Sequence, residues 1–374
     1  MENKKEAQFF LAVDSALEVN IVKPTEKVKT GGNMVSWGDG NIYPDYLLGL
    51  YNEVTTLRSI VNGNVDFITG DDVTILPLGE RFANGVMNKR GDTIREQIKD
   101  LARDYEIYGG FALQIIRSLD GNIAEIYYID MRFLRTNKKG DVFYYHEDWK
   151  ARTMVKTAKT YPAFIPNLDW ASLDEEGKKL HMSSILYVKN IRTQVYPAPL
   201  YAAAIKDCEI ERCVDDFHLN AIENGFTSSA ILSFNNGVPN DEQKQSIEDE
   251  VNEKFTGHQN AGRLMVAFNK DRTTAPTITE FKIEDFGERY QSLSEHSRQQ
   301  LFTAFRAAPA LFGIIDKTGF NETEYESAFK LYNRTQIQPI QKMMADTYDK
   351  IYGSVGVLTI TPFSLEGKTE DKVN

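Results

Sequence analysis

Three carboxylates near the start of the chain, Asp39, Asp45 and Glu53, are the side chains whose type would suit metal-assisted hydrolysis. Hard divalent cations take oxygen ligands, and a bound cation makes water a nucleophile near neutral pH. These three straddle a glycine-rich turn and the helix that follows, which spreads them instead of converging them. The five histidines, His146, His181, His218, His258 and His296, are scattered, and none forms a His-x-x-x-His pair. Gly31-Gly32 is no phosphate loop. Gly367-Lys368-Thr369 lacks the upstream glycine of a P-loop, and Gly-x-Ser-x-Gly does not occur. Cys208 and Cys213 lie five residues apart on one expected helix, project on different sides and cannot bridge within it. No convergent set of titratable groups emerges. The expectation is therefore a chain without catalytic residues, metal or cofactor. A metal-dependent hydrolase using carboxylates of the N-terminal body is the alternative, and a monomeric adaptor a weaker third.

Composition narrows the classes further. The chain has 374 residues, enough for two or three domains, with 41% hydrophobic residues and a formal net charge of −11. A protein that grips nucleic acid through phosphates needs cations in surplus. This chain has none to spare, so nucleic acid is either not a partner or passes without sticking. Two cysteines make a disulfide framework unexpected and fit a reducing compartment. The segment after Met1 is too short an apolar run for a signal peptide, and no stretch nears the roughly 20 apolar residues of a membrane span. A cytoplasm as the site of synthesis, with no membrane partner, is expected.

The elements follow from periodicity. Turns are expected at Thr30–Asn33 and Trp37–Asn41. A helix opens at Pro44, carries Leu47, Leu50, Tyr51, Val54, Leu57, Ile60 and Val61, and ends near Gly70. Asp71 to Leu78 reads as a strand. Asp92 is the expected cap of a second helix with the stripe Ile94, Ile98, Leu101 and Tyr105, stopping at Gly109-Gly110. Strands are expected at 111–117, 123–130, 133–136, 142–146 and 185–188, with 149–179 irregular. A long helix spans 199–224, with Gly225 ending it. Its apolar side is Ile210, Cys213, Val214, Phe217 and Ala221, too thin for full burial. A small α/β lobe follows, with strands at 230–234, 263–268 and 277–283 and a helix capped by Asn240-Asp241. Next comes a helix from Glu288 to Arg306, with Leu293, Ser297, Leu301, Ala304 and Phe305 on one face. Asp316 to Asn321 reads as a loop. A last helix over 322–352 is expected to kink at Pro339, followed by a strand at 357–360 and a frayed tail after Ser364.

Four segments in this order resemble the portal proteins of tailed bacteriophages, in the branch of the HK97-type portals. They are Gly38 to Leu50 with Asn41-Ile42-Tyr43-Pro44; Tyr196-Pro197-Ala198-Pro199-Leu200-Tyr201-Ala202-Ala203-Ala204 through Asn224-Gly225 to Leu232; Gly257 with Asn260-Ala261-Gly262-Arg263; and Phe305 to Gly313 with Asn321-Glu322-Thr323-Glu324 and Pro339. No single motif is specific; their joint order and spacing carry the likeness, most strongly from 196 to 340. Where the family often has Phe-Gly-Val-Pro-Pro, this chain has Phe305-Arg306-Ala307-Ala308-Pro309. Little follows Tyr352, so a substantial helical crown is not expected.

The resemblance implies an α+β portal fold: a wing at 1–198, stem helices at 199–225 and 284–306, a clip at 226–283, a tunnel loop at 307–322, a kinked wing helix with terminal strand at 323–364, and a tail at 365–374. It implies a dodecameric ring at one capsid vertex of the virion. Double-stranded DNA would pass through the ring, driven by the terminase large subunit. A head–tail adaptor, major capsid protein and scaffold protein would be further partners. Arg306, Lys317, Thr318, Phe320 and Asn321 become the expected channel residues. Lys317 would touch passing phosphates or stand as a solvated loop lysine; Arg306 would line the bore or pair between subunits. Glu248, Asp249, Glu250 and Glu253, on a helix that also carries Asp241 and Glu242, would form a docking face or a solvated one. Twelve copies would sum to a formal charge on the order of −130, a field that discourages DNA from adhering to the bore.

Overall fold

The computed structural model describes residues 21–28, 33–76, 85–150, 157–223, 230–234, 240, 242–243, 264–268, 284–314 and 322–365. In chain order its strands and helices are β1 (Glu26–Val28), β2 (Val35–Trp37), α1 (Tyr43–Glu53), α2 (Thr55–Thr69), β3 (Asp72–Ile75), α3 (Ile94–Tyr108), β4 (Gly110–Arg117), β5 (Ile123–Ile129), β6 (Leu134–Thr136), β7 (Val142–Tyr145), β8 (Lys159–Pro162), α4 (Glu175–His181) and β9 (Ser183–Lys189). They continue with α5 (Ile205–Glu223), β10 (Ala230–Phe234), β11 (Leu264–Phe268), α6 (Glu284–Ala304), α7 (Glu322–Tyr332), a π-turn (Asn333–Ile337), α8 (Gln338–Tyr352) and β12 (Leu358–Thr361). None of the described helices is long and apolar enough to cross a membrane.

The chain divides into two compact units: Met1–Asn20 with Ile210–His296, and Ile21–Glu209 with Ser297–Asn374. In the second, larger unit, β5-β4-β9 and β6-β7-β8 form antiparallel sheets, and β12 returns to pair with β3. The apolar stripe expected for the first helix is buried, but on two helices. Val54 takes an extended conformation (φ −93°, ψ 109°) and parts α1 from α2. The cap of α3 is Thr93 and not Asp92. Thr93 Oγ1 accepts from the Glu96 amide while Glu96 reaches back to the Thr93 amide, a capping box that satisfies two end donors. The stretch 149–179, expected to be irregular, holds β8 and α4; Pro162 is tolerated as the last residue of its strand.

The C-terminal helix is not α-helical throughout. Pro339 has no amide hydrogen and its ring opposes the carbonyl four residues back. The chain absorbs this in the π-turn just before Pro339, and α8 restarts with the proline in its first turn. Gln341 on α8 then donates from Nε2 to the Phe67 and Ile68 carbonyls (3.2 and 3.0 Å), satisfying end carbonyls of α2. Tyr348 donates to Gln97 on α3 (3.0 Å).

A buried guanidinium joins the start of this unit to β6. Arg135, fully buried, donates from Nε to Asn41 Oδ1 (2.6 Å), from Nη2 to the Asn41 carbonyl (2.8 Å), and from Nη1 to the Arg132 and Leu134 carbonyls (2.9 and 2.8 Å). Its charge also faces the Trp37 and Trp149 rings. Burial pushes its pKa down to about 10, so it stays protonated at neutral pH. Asn41 adopts a left-handed backbone (φ 64°), and its Oδ1 also accepts from the Trp37 amide (2.8 Å). Asparagine is among the few side chains that enter this conformation readily.

In the other unit, β10 and β11 pair in parallel, and Phe217 of α5 stacks on Tyr290 of α6 at 4.5 Å between ring centroids. Asn240 and Gln243 form the amide version of a capping box, Oδ1 accepting from the Gln243 amide at 2.8 Å. The expected strand 277–283, Gly225 and the tail beyond residue 365 lie outside the described residues.

Asn41→Gly keeps the left-handed backbone and loses the side-chain bonds, which should cost about 2 kcal/mol. Asn41→Ala adds backbone strain and should fall about 1 kcal/mol lower still. Urea unfolding of the three proteins checks the order; equal stability of the glycine and wild-type chains would show that Asn41 carries no such load.

Candidate functional site

The sequence Tyr196 to Ala204 leads into α5, and its aromatic residues fix where that helix starts. Tyr196 stacks flat on Trp37 (4.5 Å, 5°), donates to the Val35 carbonyl and accepts from the Thr136 amide (3.1 Å). Pro197 and Ala198 lie so close to Gly109-Gly110 that a Cβ on Gly109 would sit 2.0 Å from the Ala198 carbonyl oxygen. Asn190 holds Ala198 through both its amide and its carbonyl (3.3 and 2.7 Å). Tyr201 donates to the Ile107 carbonyl (3.2 Å) and stacks on Phe305 (5.6 Å). Two long helices are thereby tied at their roots: the first turn of α5, with Ile205 and Cys208 buried, and the last turn of α6, with Leu301 and Phe302 buried. Tyr46 donates to Glu209 Oε1 at 2.7 Å, one turn further along α5.

After α6 ends at Ala304, Arg306 is exposed and takes a left-handed conformation (φ 53°). The ending expected at Arg306 therefore comes two residues early. The resembled pattern carries glycine at this place, which enters that conformation freely; arginine enters it under strain. A 3-10 turn at Pro309–Phe312 follows and Gly313 closes it. Phe312 then packs on Phe67, Phe302 and Tyr332 (ring centroids 5.8–6.2 Å) and fills the notch that Gly63 leaves in α2. On the far side of residues 315–321, Phe329 joins Phe67 and Phe363. Tyr332 donates to Asn64 Oδ1 (2.7 Å), and Asn64 Nδ2 donates to Glu106 Oε2 (2.8 Å). Glu106 is completely buried, and burial pushes its pKa up to about 7 against the pull of the Asn64 bond. Asp104, two residues earlier on α3, accepts from Tyr128 (2.9 Å) and the Met131 amide (3.2 Å); burial, then the charge of Asp130, hold it well above the usual carboxylate range.

Of the expected channel residues only Arg306 is described; Lys317, Thr318, Phe320 and Asn321 lie outside the described residues, as do Glu248, Asp249, Glu250 and Glu253. Asp39 is occupied by the Thr25 hydroxyl (2.6 Å) and Lys27 (3.7 Å). Among the described residues no three His, Cys, Asp or Glu side chains come close enough to hold a metal ion. Sequence reading missed Glu106, although a signal existed: it stands four residues after Ala102 and eight after Ile98, in line with the apolar face of α3.

The family described as phage portal protein matches residues 87–359. The chain belongs to that family. The match takes in the roots of both long helices, the Phe312 turn and the Tyr332–Asn64–Glu106 chain except for Asn64. No curated protein matches. Solved structures resemble this portal-family chain in fold. A chain from the neck of a native GTA particle, computed with C12 symmetry, is 16% identical with a TM-score of 0.52, over 85% of this chain and 84% of that one. A chain from the virion of a native gene transfer agent particle is 14% identical with a TM-score of 0.53, over 88% and 84%. An HK97 family phage portal protein from Corynebacterium diphtheriae is 10% identical with a TM-score of 0.50, over 84% and 93%. The α+β portal fold expected from the four segments is thus present, kinked C-terminal helix included.

Gly49 and Gly63 give a paired test of the notch. A Cβ at Gly49 meets nothing within 4 Å, whereas one at Gly63 would lie 2.7 Å from the Phe312 ring. Gly49→Ala should stabilise by about 0.5–1 kcal/mol. Gly63→Ala should destabilise by about 1–3 kcal/mol through overpacking and be partly rescued by Phe312→Leu. Denaturant midpoints read both; Gly63→Ala matching Gly49→Ala would refute the notch.

Proposed function

We propose that this chain forms a homododecameric ring at one capsid vertex, through which double-stranded DNA enters and leaves. The terminase large subunit and a head–tail adaptor would dock on the ring, with major capsid and scaffold proteins around it in the virion. The observation that carries this reading is the family match over residues 87–359, which spans both long helices and the segment between them. The GTA neck structure computed with C12 symmetry supports the ring number. In this reading the wing is 1–198, the stem 199–225 and 284–306, the clip 226–283, the tunnel loop 307–322, and the wing helix with its strand 323–364.

The physics supports a passive conduit. Every phosphate contact made by a lysine or arginine costs a sliding duplex a counterion exchange and acts as a brake. A net charge of −11 per chain keeps such contacts few. Arg306, Lys317, Thr318, Phe320 and Asn321 are assigned to the bore. Glu248, Asp249, Glu250 and Glu253 are assigned to the docking face for the motor or adaptor. The chain needs no catalytic residue, metal or cofactor for this role, since the motor supplies the work.

Negative-stain images of purified protein should show rings with a central hole; a compact monomer under every assembly condition would overturn the reading. Lys317→Ala should alter the packaging rate in vitro while rings still assemble, and failure of ring assembly in that variant would refute the loop assignment.

Reversing Glu248 and Glu250 to lysine should weaken binding of the terminase large subunit, measured by titration against assembled rings. Unchanged binding would remove these residues from the docking face.

A further inference from the structure

We propose that Glu106, acting through Asn64 and Tyr332, is a proton-held latch that fixes the C-terminal end of α7 on α2 and α3. The latch rests on geometry and stands apart from the function proposed above. The turn at Pro309–Phe312 and the C-terminal end of α7 are seated on one face of α2. Gly63 and Phe67 receive Phe312, and Asn64 receives the Tyr332 hydroxyl. Tyr332 is the last residue of α7, immediately before the π-turn that accommodates Pro339. A π-turn is a local departure from the α-helical ladder, and such departures concentrate where an element must adjust. Besides the ring packing of Phe329 and Tyr332 on Phe67, α7 is held by a run of three side chains from three helices: Tyr332 from α7, Asn64 from α2 and Glu106 from α3.

Glu106 ends that run in a dry place. Its Oε2 takes the Asn64 bond, and its Oε1 is buried with no hydrogen-bond partner among the described residues. The titratable groups facing it are Tyr105 on its own helix, Tyr201 from the segment before α5, and Tyr332 from α7; α2 contributes the neutral Asn64. All three tyrosines are held neutral by burial, and among the described residues no cation acts on the carboxyl. A carboxyl so placed is tolerated as the neutral acid. Ionised, it is a bare charge with one donor, the arrangement that buried groups avoid.

The sign of the pH effect follows. The carboxyl titrates at about 7 when enclosed, against 4.5 for a glutamate open to water. Between those values the closed latch keeps a proton that the opened latch releases. Raising the pH therefore favours opening, by about tenfold for each pH unit, until the enclosed acid is itself ionised and the effect levels off.

Hydrogen exchange on the purified full chain tests this from pH 5 to 8.5, corrected for the intrinsic pH dependence of exchange. Amides of α7 should lose protection by about tenfold per unit up to pH 7 and hold level above it. Glu106→Gln keeps the shape and the Asn64 bond but cannot ionise, so its α7 protection should be flat across the range. Tyr332→Phe cuts the run at its other end and leaves Glu106 in place; α7 protection should be lower and independent of pH. The infrared difference between wild type and Glu106→Gln at pH 6 should show the loss of one protonated carboxylic acid carbonyl stretch. The same pH slope in Glu106→Gln as in the wild type, or a loss of protection spread equally over β4 and β5, overturns the latch. Ring images of the same samples report separately on the proposed function. A chain without rings whose α7 follows the expected profile keeps the latch and loses the conduit.

Discussion

A buried guanidinium whose hydrogen bonds all go to amide and carbonyl oxygens constrains the larger unit. Arg135 cannot shed its proton at neutral pH, and a charge inside a protein must be met by oriented dipoles or expelled. Four oxygens and two indole rings meet it, and each comes from a segment that must be in place at once: Asn41 from the turn before α1, the Arg132 and Leu134 carbonyls from the entry to β6, Trp37 from β2 and Trp149 from beyond β7. The left-handed turn at Asn41 is the consequence, since it brings one residue's side-chain and main-chain oxygens to the same fork. Replacing either partner alone leaves the other with buried, unmet groups, so the two positions behave as one unit.

From that unit the chain reaches the long helices through aromatic stacking. Trp37 carries Tyr196, and five residues on Tyr201 carries Phe305. With Tyr46 bonded to Glu209, the first two resembled segments and the start of the fourth meet physically, though Tyr201 and Phe305 lie far apart in sequence. Within the larger unit the start of α5 and the end of α6 therefore form one joint. Gly109-Gly110 belongs to this joint because Pro197 and Ala198 occupy the space where side chains would stand.

Much of this is legible in the residues. Periodicity finds β3 to β7, β9 and β12, the stripes on α3 and α8, and β10 and β11 as strands, because their apolar residues repeat accordingly; the short β1, β2 and β8 carry no such repeat. The break at Val54 is not legible: the apolar stripe runs straight through it, and an extended valine between two helices leaves no glycine or proline as a mark. The cap of α3 falls one residue later than expected because Asp92 and Thr93 both favour caps; the capping box with Glu96 decides between them. Pro339 announces a kink, while its resolution as a π-turn depends on how α8 seats on α2 through Gln341. Arg135 and Glu106 escape a sequence reading for one reason. Charged residues are read as surface unless their partners are known, and both partners, Asn41 and Asn64, lie far away in sequence and are neutral.

The two buried carboxyls of α3 show how position on a helix separates structural from adjustable roles. Asp104 takes two donors, Tyr128 and the Met131 amide, and both belong to β5 and its connection to β6. Loosening it would loosen a sheet at the centre of the body, so its state is tied to global stability. Glu106 takes one donor, and through Asn64 it leads only to the end of α7. Opening that link exposes one helix end beside a turn already departed from α-helical geometry, while the Phe312 seat on the same face of α2 stays filled. A low-cost, local opening requires that few interactions break and that a neighbour can yield, and elements that move are drawn from such places. On this helix that condition is met at Glu106 and not at Asp104, because the next element along each hydrogen-bond path differs: a sheet in one case, a hinge in the other.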